Sequence, residues 1–187
     1  HHWSGFLTLA LGNSMAWLRH LNLPRRSRRN VAHHYDLTDK LFASFLDPWR
    51  QYSCAYFHRP DDSLDQAQVT TLARLAAKLN LQNGNSVLDI GCGWGGLARA
   101  LAVCRQDVTV TGITLSEQQF AHARQAAENA GLGDRLAFAL RDYRHQTGTF
   151  DRIVSVGMLE HVGPRGFPVF FDKVRDCLAP AGVAVIH

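Results

Sequence analysis

At 187 residues with 46% hydrophobic side chains, the chain can bury one sizeable core, and its length fits one main globular domain better than two. The net charge of +4 is unevenly placed: Arg19, Arg25, Arg26, Arg28 and Arg29 stand among residues 1–35 with no Asp or Glu, which leaves 15 Lys and Arg against 16 Asp and Glu from Asp36 onward. A short basic arm on a neutral body argues against nucleic acid as a partner, and four separated cysteines without a CxxC pair (Cys54, Cys92, Cys104, Cys177) point to the reducing cytoplasm.

Trp3, Phe6, Leu7, Ala10, Leu11, Met15, Leu18 and Leu21 recur at helical spacing, so the chain opens on an amphipathic helix that ends near Leu23-Pro24. Gly12, Asn13 and Ser14 interrupt the apolar run from Trp3 to Leu18, which falls short of the roughly 20 residues of a spanning helix. Positive charge follows this run instead of preceding it, unlike a secretory signal. Residues 1–29 therefore read as a basic arm, suited either to the surface of an anionic bilayer or to connecting an upstream domain.

From Asn30 to Arg59 aromatic and polar residues mix, as in a segment that covers something, with one short helical pattern from Asp39 to Leu46. Ser63 and Gln66 form a capping box, and Val69, Leu72, Leu75, Ala76 and Leu79 stripe the helix it starts, which Asn83-Gly84 ends. Strands and helices then alternate: strand Val87–Ile90, helix from Leu97, strand Val108–Ile113, helix from Ser116 (a capping box with Gln119), and strands Leu136–Leu140 and Phe150–Val156. A helix striped by Phe167, Phe170, Phe171, Val174 and Leu178 follows, and a fifth strand begins at Val183–Ile186. The series predicts an α/β fold, a parallel sheet with helices on both faces behind a helical N-terminal cover. The chain stops at His187, where a sheet of this kind normally goes on, so residues 30–187 read as a domain incomplete at its C-terminus.

Val87-Leu88-Asp89-Ile90-Gly91-Cys92-Gly93-Trp94-Gly95-Gly96 is a strand, a glycine-rich turn and a helix start. Glycines admit positive φ and close approach of a ligand, and the helix offers free N–H groups at its positive end. The pattern is GxGxGG with Asp89 before it, which resembles motif I of class I S-adenosylmethionine methyltransferases more than a dinucleotide fingerprint. The second strand ends Gly112-Ile113-Thr114-Leu115-Ser116, without the acid that usually holds a ribose diol.

Together with that turn, four other segments are similar to the cyclopropane-fatty-acyl-phospholipid synthase family: His34-Tyr35-Asp36-Leu37, Gln51-Tyr52-Ser53-Cys54-Ala55-Tyr56-Phe57, Gly112-Ile113-Thr114-Leu115-Ser116 with Gln119, and Phe150 through Gly163 with Gly157-Met158-Leu159-Glu160-His161-Val162. The resemblance implies a Rossmann-like domain that binds S-adenosylmethionine and works on unsaturated phospholipid acyl chains at the inner face of the membrane. It puts Thr114, Leu115 and Gln119 in place of the acidic clamp, Tyr35, Tyr52 and Ser53 over the methionine part, and Asp142-Tyr143 beside the adenine. Asp89, Gly91, Cys92, Gly93, Trp94 and Gly95 complete the implied cofactor set.

Methyl transfer to an alkene builds positive charge on carbon, so the site must exclude water, and a base must then take a proton for the ring to close. The resemblance implies a bicarbonate ion as that base, held by Cys54, Glu160 and His187, and implies no metal. Taken singly, Cys54 reads as a small buried hydrophobe, Glu160 as a helix-start carboxylate, His187 as a strand-end residue, and Tyr35 and Tyr52 as core aromatics. An acyl methyltransferase of mycolic type, or a cofactor- or lipid-binding module without turnover, stay open beside the synthase. So does a homodimer.

Overall fold

The computed structural model describes residues 39–187. The arm, its helix from Trp3, the arginine run and the segment containing Tyr35 lie outside the described residues. In chain order the elements are α1 (Asp39–Phe45), α2 (Leu64–Leu79), β1 (Ser86–Ile90), α3 (Gly96–Cys104), β2 (Thr109–Thr114), α4 (Glu117–Asn129), β3 (Leu136–Leu140), β4 (Phe150–Ser155), α5 (Leu159–Val162), α6 (Phe167–Cys177) and β5 (Leu178–Ile186).

All five strands are parallel, in the order β3-β2-β1-β4-β5. The strand order reverses between β1 and β4, and a crevice opens at the carboxyl ends of strands at such a switch point. Alternation along each strand splits the core in two. Val87, Val110 and Val154 pack with Leu72, Leu75 and Leu79 of α2, Leu97 and Leu101 of α3, and Ala127 of α4. Leu88, Ile90, Ile113 and Ile153 face the other way, against Val162, Phe170, Val174 and Cys177. Asp89 shares the face of Val87, the side covered by α2, α3 and α4.

Arginines close the helix ends at the opposite edge of the sheet. Arg152, buried in β4, donates through Nε to the Leu79 carbonyl at 2.6 Å and through Nη2 to that of Asn80 at 2.9 Å. Arg135 donates to the carbonyls of Ala102 at 2.8 Å and Arg105 at 3.0 Å beyond α3. These groups would otherwise be unsatisfied helix-terminal acceptors. α2 stops at Leu79, before the predicted Asn83-Gly84 stop, because Asn80 takes the left-handed cap conformation at φ 47°, to which Asn is well suited.

Three further details differ from the sequence expectation. The N-terminal capping box of α2 forms as expected, with Ser63 Oγ accepting from Gln66 N and Gln66 Oε1 accepting from Ser63 N. The stripe of α2 is rotated, however: Val69 is 51% exposed, while Ala67, Gln68 and Thr71 turn inward. Polar residues take the inward positions because they hold the covering segment, as shown below. Phe171 is 48% exposed because Phe170, one residue earlier, points into the core. The fifth strand begins at Leu178 instead of Val183, pairing first with Phe150 and then, after a register shift, from Arg152–Val183 onward.

The N-terminal cover sits on α3 through a tight turn. Asp47 is buried and accepts from Trp49 N at 2.9 Å and Gln51 N at 2.7 Å, while Arg50 N donates to the Asp47 carbonyl at 2.8 Å. This turn presses the Trp49 carbonyl and the Gln51 amide onto Gly96, where a Cβ would collide with both. Arg99 stacks over the Trp49 ring at 4.7 Å on the same patch.

Gly96→Ala therefore tests the seating of the cover. In an open helix start the change would gain up to about 1 kcal/mol from helix propensity. Here overpacking against backbone dominates, and unfolding in urea is expected to show a net loss of about 1–3 kcal/mol with faster proteolysis around residues 47–51. A stabilised protein with unchanged cleavage would show that the cover does not rest on Gly96.

Candidate functional site

The turn after β1 brings the glycines to the carboxyl edge. Gly91, Gly93 and Gly95 all have positive φ, at 77°, 55° and 81°. The N–H groups of Gly91 and Cys92 donate to the Ile113 carbonyl at 2.9 and 3.0 Å, tying the turn to the end of β2. Around Gly91 and Gly95 there is no room for a Cβ, because Met158 meets the first and Ala123 and Phe138 the second. Gly93 differs: a Cβ there would meet only Gln119 Nε2, at 3.9 Å. The backbone is thus bare at Gly93 and faced by one amide.

Gln119 is aimed by the β2 end. Thr114 Oγ1 donates to Gln119 Oε1 at 3.0 Å and accepts from Ser116 N at 3.2 Å. Ser116 Oγ accepts from Gln119 N at 3.3 Å, but the Gln119 side chain does not return to the cap, so only half of the predicted capping box forms. The buried Thr114 hydroxyl takes that side chain instead and leaves Nε2 turned toward the glycine turn. A donor thus stands where an acidic clamp would offer acceptors. Leu115, partly exposed, borders it.

Asp89 is buried at the end of β1 with Oδ2 unbonded, and burial raises its carboxyl to a pKa of about 7. Cys92 lies close by: burial first, then the Asp89 charge, push its thiol far up. Its Sγ packs toward Gly112, so the side chain fills space beneath the turn while its backbone shapes the turn. Trp94 is buried under the cover, with Phe42 at 5.2 Å, His122 edge-on at 5.4 Å and the Arg50 guanidinium at 5.1 Å from its ring, and its Nε1 is unbonded.

The covering segment has neither strand nor helix at Tyr52, Ser53 and Cys54, and side chains of α2 supply its partners. Gln68 Nε2 donates to the Ser53 carbonyl at 2.9 Å, and Thr71 Oγ1 accepts from Tyr56 N at 2.8 Å. Ser53 Oγ is buried and unbonded. The Tyr52 ring is half exposed, edge-on to Phe42 at 5.7 Å, and Cys54 is exposed, so neither is the core residue that an isolated Tyr or Cys suggests.

Beyond β4, three segments meet at Gly157. Its N–H donates to the His187 carbonyl at 3.0 Å, while His187 N donates to the Ser155 carbonyl at 2.9 Å, so the ladder of β4 and β5 carries on past the strands. A Cβ on Gly157 would lie 3.8 Å from Glu160 Oε1 and 3.8 Å from the Tyr52 carbonyl. Glu160, the chain at His187 and the segment leading into Cys54 therefore converge at the carboxyl end of β4. Among the described residues no three His, Cys, Asp or Glu side chains are grouped as a metal site.

Asp142 stands at the end of β3 with both oxygens engaged. Arg144 N and Nε donate to Oδ1 at 3.0 and 2.9 Å, and Nη2 donates to Oδ2 at 2.6 Å. Burial alone would raise this carboxyl, but the Arg144 hydrogen bonds and charge together bring it below its ordinary value. The pair fixes the short 3₁₀ turn Tyr143–His145, whose Tyr143 ring rests edge-on against Phe170 at 5.4 Å. Asp47, Gln68 and Thr71 belong to none of the sequence motifs, and Gly157 stands in one without a role of its own. An Asp-Pro-Trp turn signal and two polar residues on an inward helical face were the available clues.

The donor set fits S-adenosylmethionine. Of the buried side-chain polar atoms left unbonded among the described residues, Asp89 Oδ2, Trp94 Nε1 and Ser53 Oγ belong to the predicted cofactor set, and the fourth, Gln68 Oε1, adjoins Ser53. Unbonded buried polar atoms are uncommon in folded proteins and mark places where a ligand or water completes the structure.

The family described as mycolic acid cyclopropane synthetase matches residues 23–187. The cyclopropane-fatty-acyl-phospholipid synthase of Escherichia coli strain K12 is 42% identical over 189 aligned residues, covering 100% of this chain and 46% of its own. Among solved structures, the cyclopropane synthase MmaA2 from Mycobacterium tuberculosis matches with a TM-score of 0.81 and 38% identity, over 85% of this chain and 55% of that one. The mycolic acid cyclopropane synthase CmaA1, in complex with SAH and CTAB, matches with the same score, identity and coverage. The chain spans about half the length of these relatives. With the five-stranded sheet, the glycine turn and its facing Gln119 in place, the chain belongs to the cyclopropane synthase family of class I methyltransferase fold.

Proposed function

We propose that the protein uses S-adenosylmethionine to add a methylene across the cis double bond of an unsaturated phospholipid acyl chain, with Cys54, Glu160 and His187 holding a bicarbonate ion. The observation that carries this reading is the meeting at Gly157 of the segments of those three residues, beside a turn whose buried polar atoms lack partners. The basic arm in residues 1–35 supports action at the cytoplasmic face of an anionic membrane, and no described helix is long and apolar enough to cross one.

When bound, S-adenosylmethionine supplies an electrophilic methyl carbon on a cationic sulfur. The chain's own residues bind and orient around it. Gly93 offers bare backbone, Gln119 an N–H donor and Asp89 a carboxylate, while Trp94 and Phe42 keep water from the turn. Tyr52 and Ser53 border the methionine end, Leu115 the ribose, and Asp142 and Tyr143 the adenine. Glu160 accepts a hydrogen bond from the bicarbonate at the rim, where a base is needed.

Asp89 gives a pH test with a definite sign. Its folded pKa of about 7 lies above the ordinary 3.8, so the folded protein binds the proton more tightly than the unfolded chain, and ionising it without a bound cation costs stability as pH rises. Asp89→Asn is expected to stabilise the ligand-free protein on the order of 2 kcal/mol more at pH 8.5 than at pH 5.5. A positively charged ligand prefers the carboxylate, so S-adenosylmethionine affinity should rise as pH passes through 7, and the Asn variant should lose that rise. Parallel pH profiles for the two proteins would remove Asp89 from the site.

The reaction itself is tested by expressing the full-length gene in bacteria and measuring phospholipid acyl chains by mass spectrometry. The reading predicts a gain of one CH2 per unsaturated chain without a methyl branch. A branched product would favour the mycolic-type methyltransferase, and unchanged lipids despite expression would count against both enzymes. Glu160→Gln should abolish the product while leaving cofactor affinity nearly intact, because Glu160 serves the base and not the cofactor. Loss of cofactor binding in that variant contradicts its role.

A further inference from the structure

Gln68 is 3% exposed on the inward face of α2, among Leu72, Leu75 and Leu79, which serve the core. If packing were its only task, an apolar side chain would do better. An amide buried without full hydrogen bonding costs roughly 1–3 kcal/mol, and here Oε1 has no partner. The other end of the amide explains its presence. Nε2 donates to the Ser53 carbonyl at 2.9 Å and reaches the Gln51 carbonyl at 3.5 Å.

Residues 51–54 form no ladder or helical turn, so the carbonyls of Gln51 and Ser53, which face α2, take a side-chain donor. Asp47 holds the segment's start by accepting from Gln51 N, and Thr71 holds its far side by accepting from Tyr56 N. Between these anchors, the bond from Gln68 to Ser53 fixes the stretch containing Tyr52, Ser53 and Cys54. The same stretch brings the Tyr52 carbonyl to Gly157.

We propose that Gln68 is a positioning residue for the reaction: it touches neither cofactor nor lipid, but sets the posture in which Ser53 faces the cofactor and Cys54 the anion. The inference rests on the function proposed above. Thr71 and Asp47 keep the segment attached without it, so loss of Gln68 is expected to loosen residues 51–54 and not to unfold the domain.

The test compares wild type, Gln68→Met and Gln68→Glu by amide hydrogen exchange of residues 51–55 and by calorimetric titration with S-adenosylhomocysteine. Met fills the volume and removes the unbonded Oε1, so the thermal midpoint should stay near that of wild type. Exchange at 51–55 should rise and ligand affinity fall, each about 5- to 10-fold, the size of one hydrogen bond. In Gln68→Glu the carboxylate cannot donate at pH 8, whereas the buried acid regains a donor as pH falls. Its exchange, normalised to wild type at the same pH, should return toward that of wild type near pH 5.5.

Wild-type exchange and affinity in Gln68→Met would overturn the proposal. Should Gln68→Met fail to fold, the Glu variant decides alone, and a pH-independent ratio would overturn it. If wild type binds no S-adenosylhomocysteine, the cofactor reading fails, and the exchange ratios still decide whether Gln68 holds the segment.

Discussion

Asp89 is the last but one residue of β1, among Val87, Leu88 and Ile90, and it carries a carboxyl into the buried sheet with one oxygen unbonded. Burying a charge without a partner is among the costliest things a fold can do, and burial lifts this carboxyl from its ordinary 3.8 to a pKa of about 7. Much of the surrounding architecture follows from leaving it so. Cys92 fills the space beneath the turn with a thiol that stays protonated, Gly112 leaves room for that sulfur and for Phe138, and Gly93 keeps the backbone above open. A cation arriving there would favour the ionised form, drawing the proton off a group that burial alone holds protonated.

The site depends equally on a segment that has no regular structure. A loop over a hydrophobic sheet must satisfy its own N–H and C=O groups, and here α2 does so by placing Gln68 and Thr71 where an ordinary amphipathic helix would place apolar residues. The turn built on Asp47 then locks the loop onto Gly96 of α3. At the far edge of the sheet, Arg135 and Arg152 close helix ends by donating to the carbonyls of Ala102 and Leu79.

The sequence made the sheet legible because its signals are local. Period-two strands, the glycine turn and the Ser63 cap each depend on residues a few positions apart, and their boundaries agree with the structure to within a few residues for most elements. The misplacements fall at element ends. α2 ends early at a left-handed Asn80, whose carbonyl an arginine 72 residues away bonds, and β5 starts early, with a register shift between Phe150 and Arg152. Gln119 reads as a capping residue until the Thr114 hydroxyl is seen to take its side chain. At the site, the motif residues were visible, whereas Gln68, Thr71 and Asp47 were not, because their roles exist only once the cover is folded onto the sheet.

The central claim is that the bare turn at Gly93, Gln119 and Asp89 form one cofactor site. A crystal structure of the protein with S-adenosylhomocysteine tests it most directly. The account predicts the ligand along Gly91–Gly95, with Gln119 Nε2 within hydrogen-bonding distance, Ser53 Oγ newly bonded and the Asp89 carboxylate facing the ligand's ammonium directly or through one water. Ligand bound elsewhere, with the turn bare and Ser53 and Asp89 still unbonded, would contradict it.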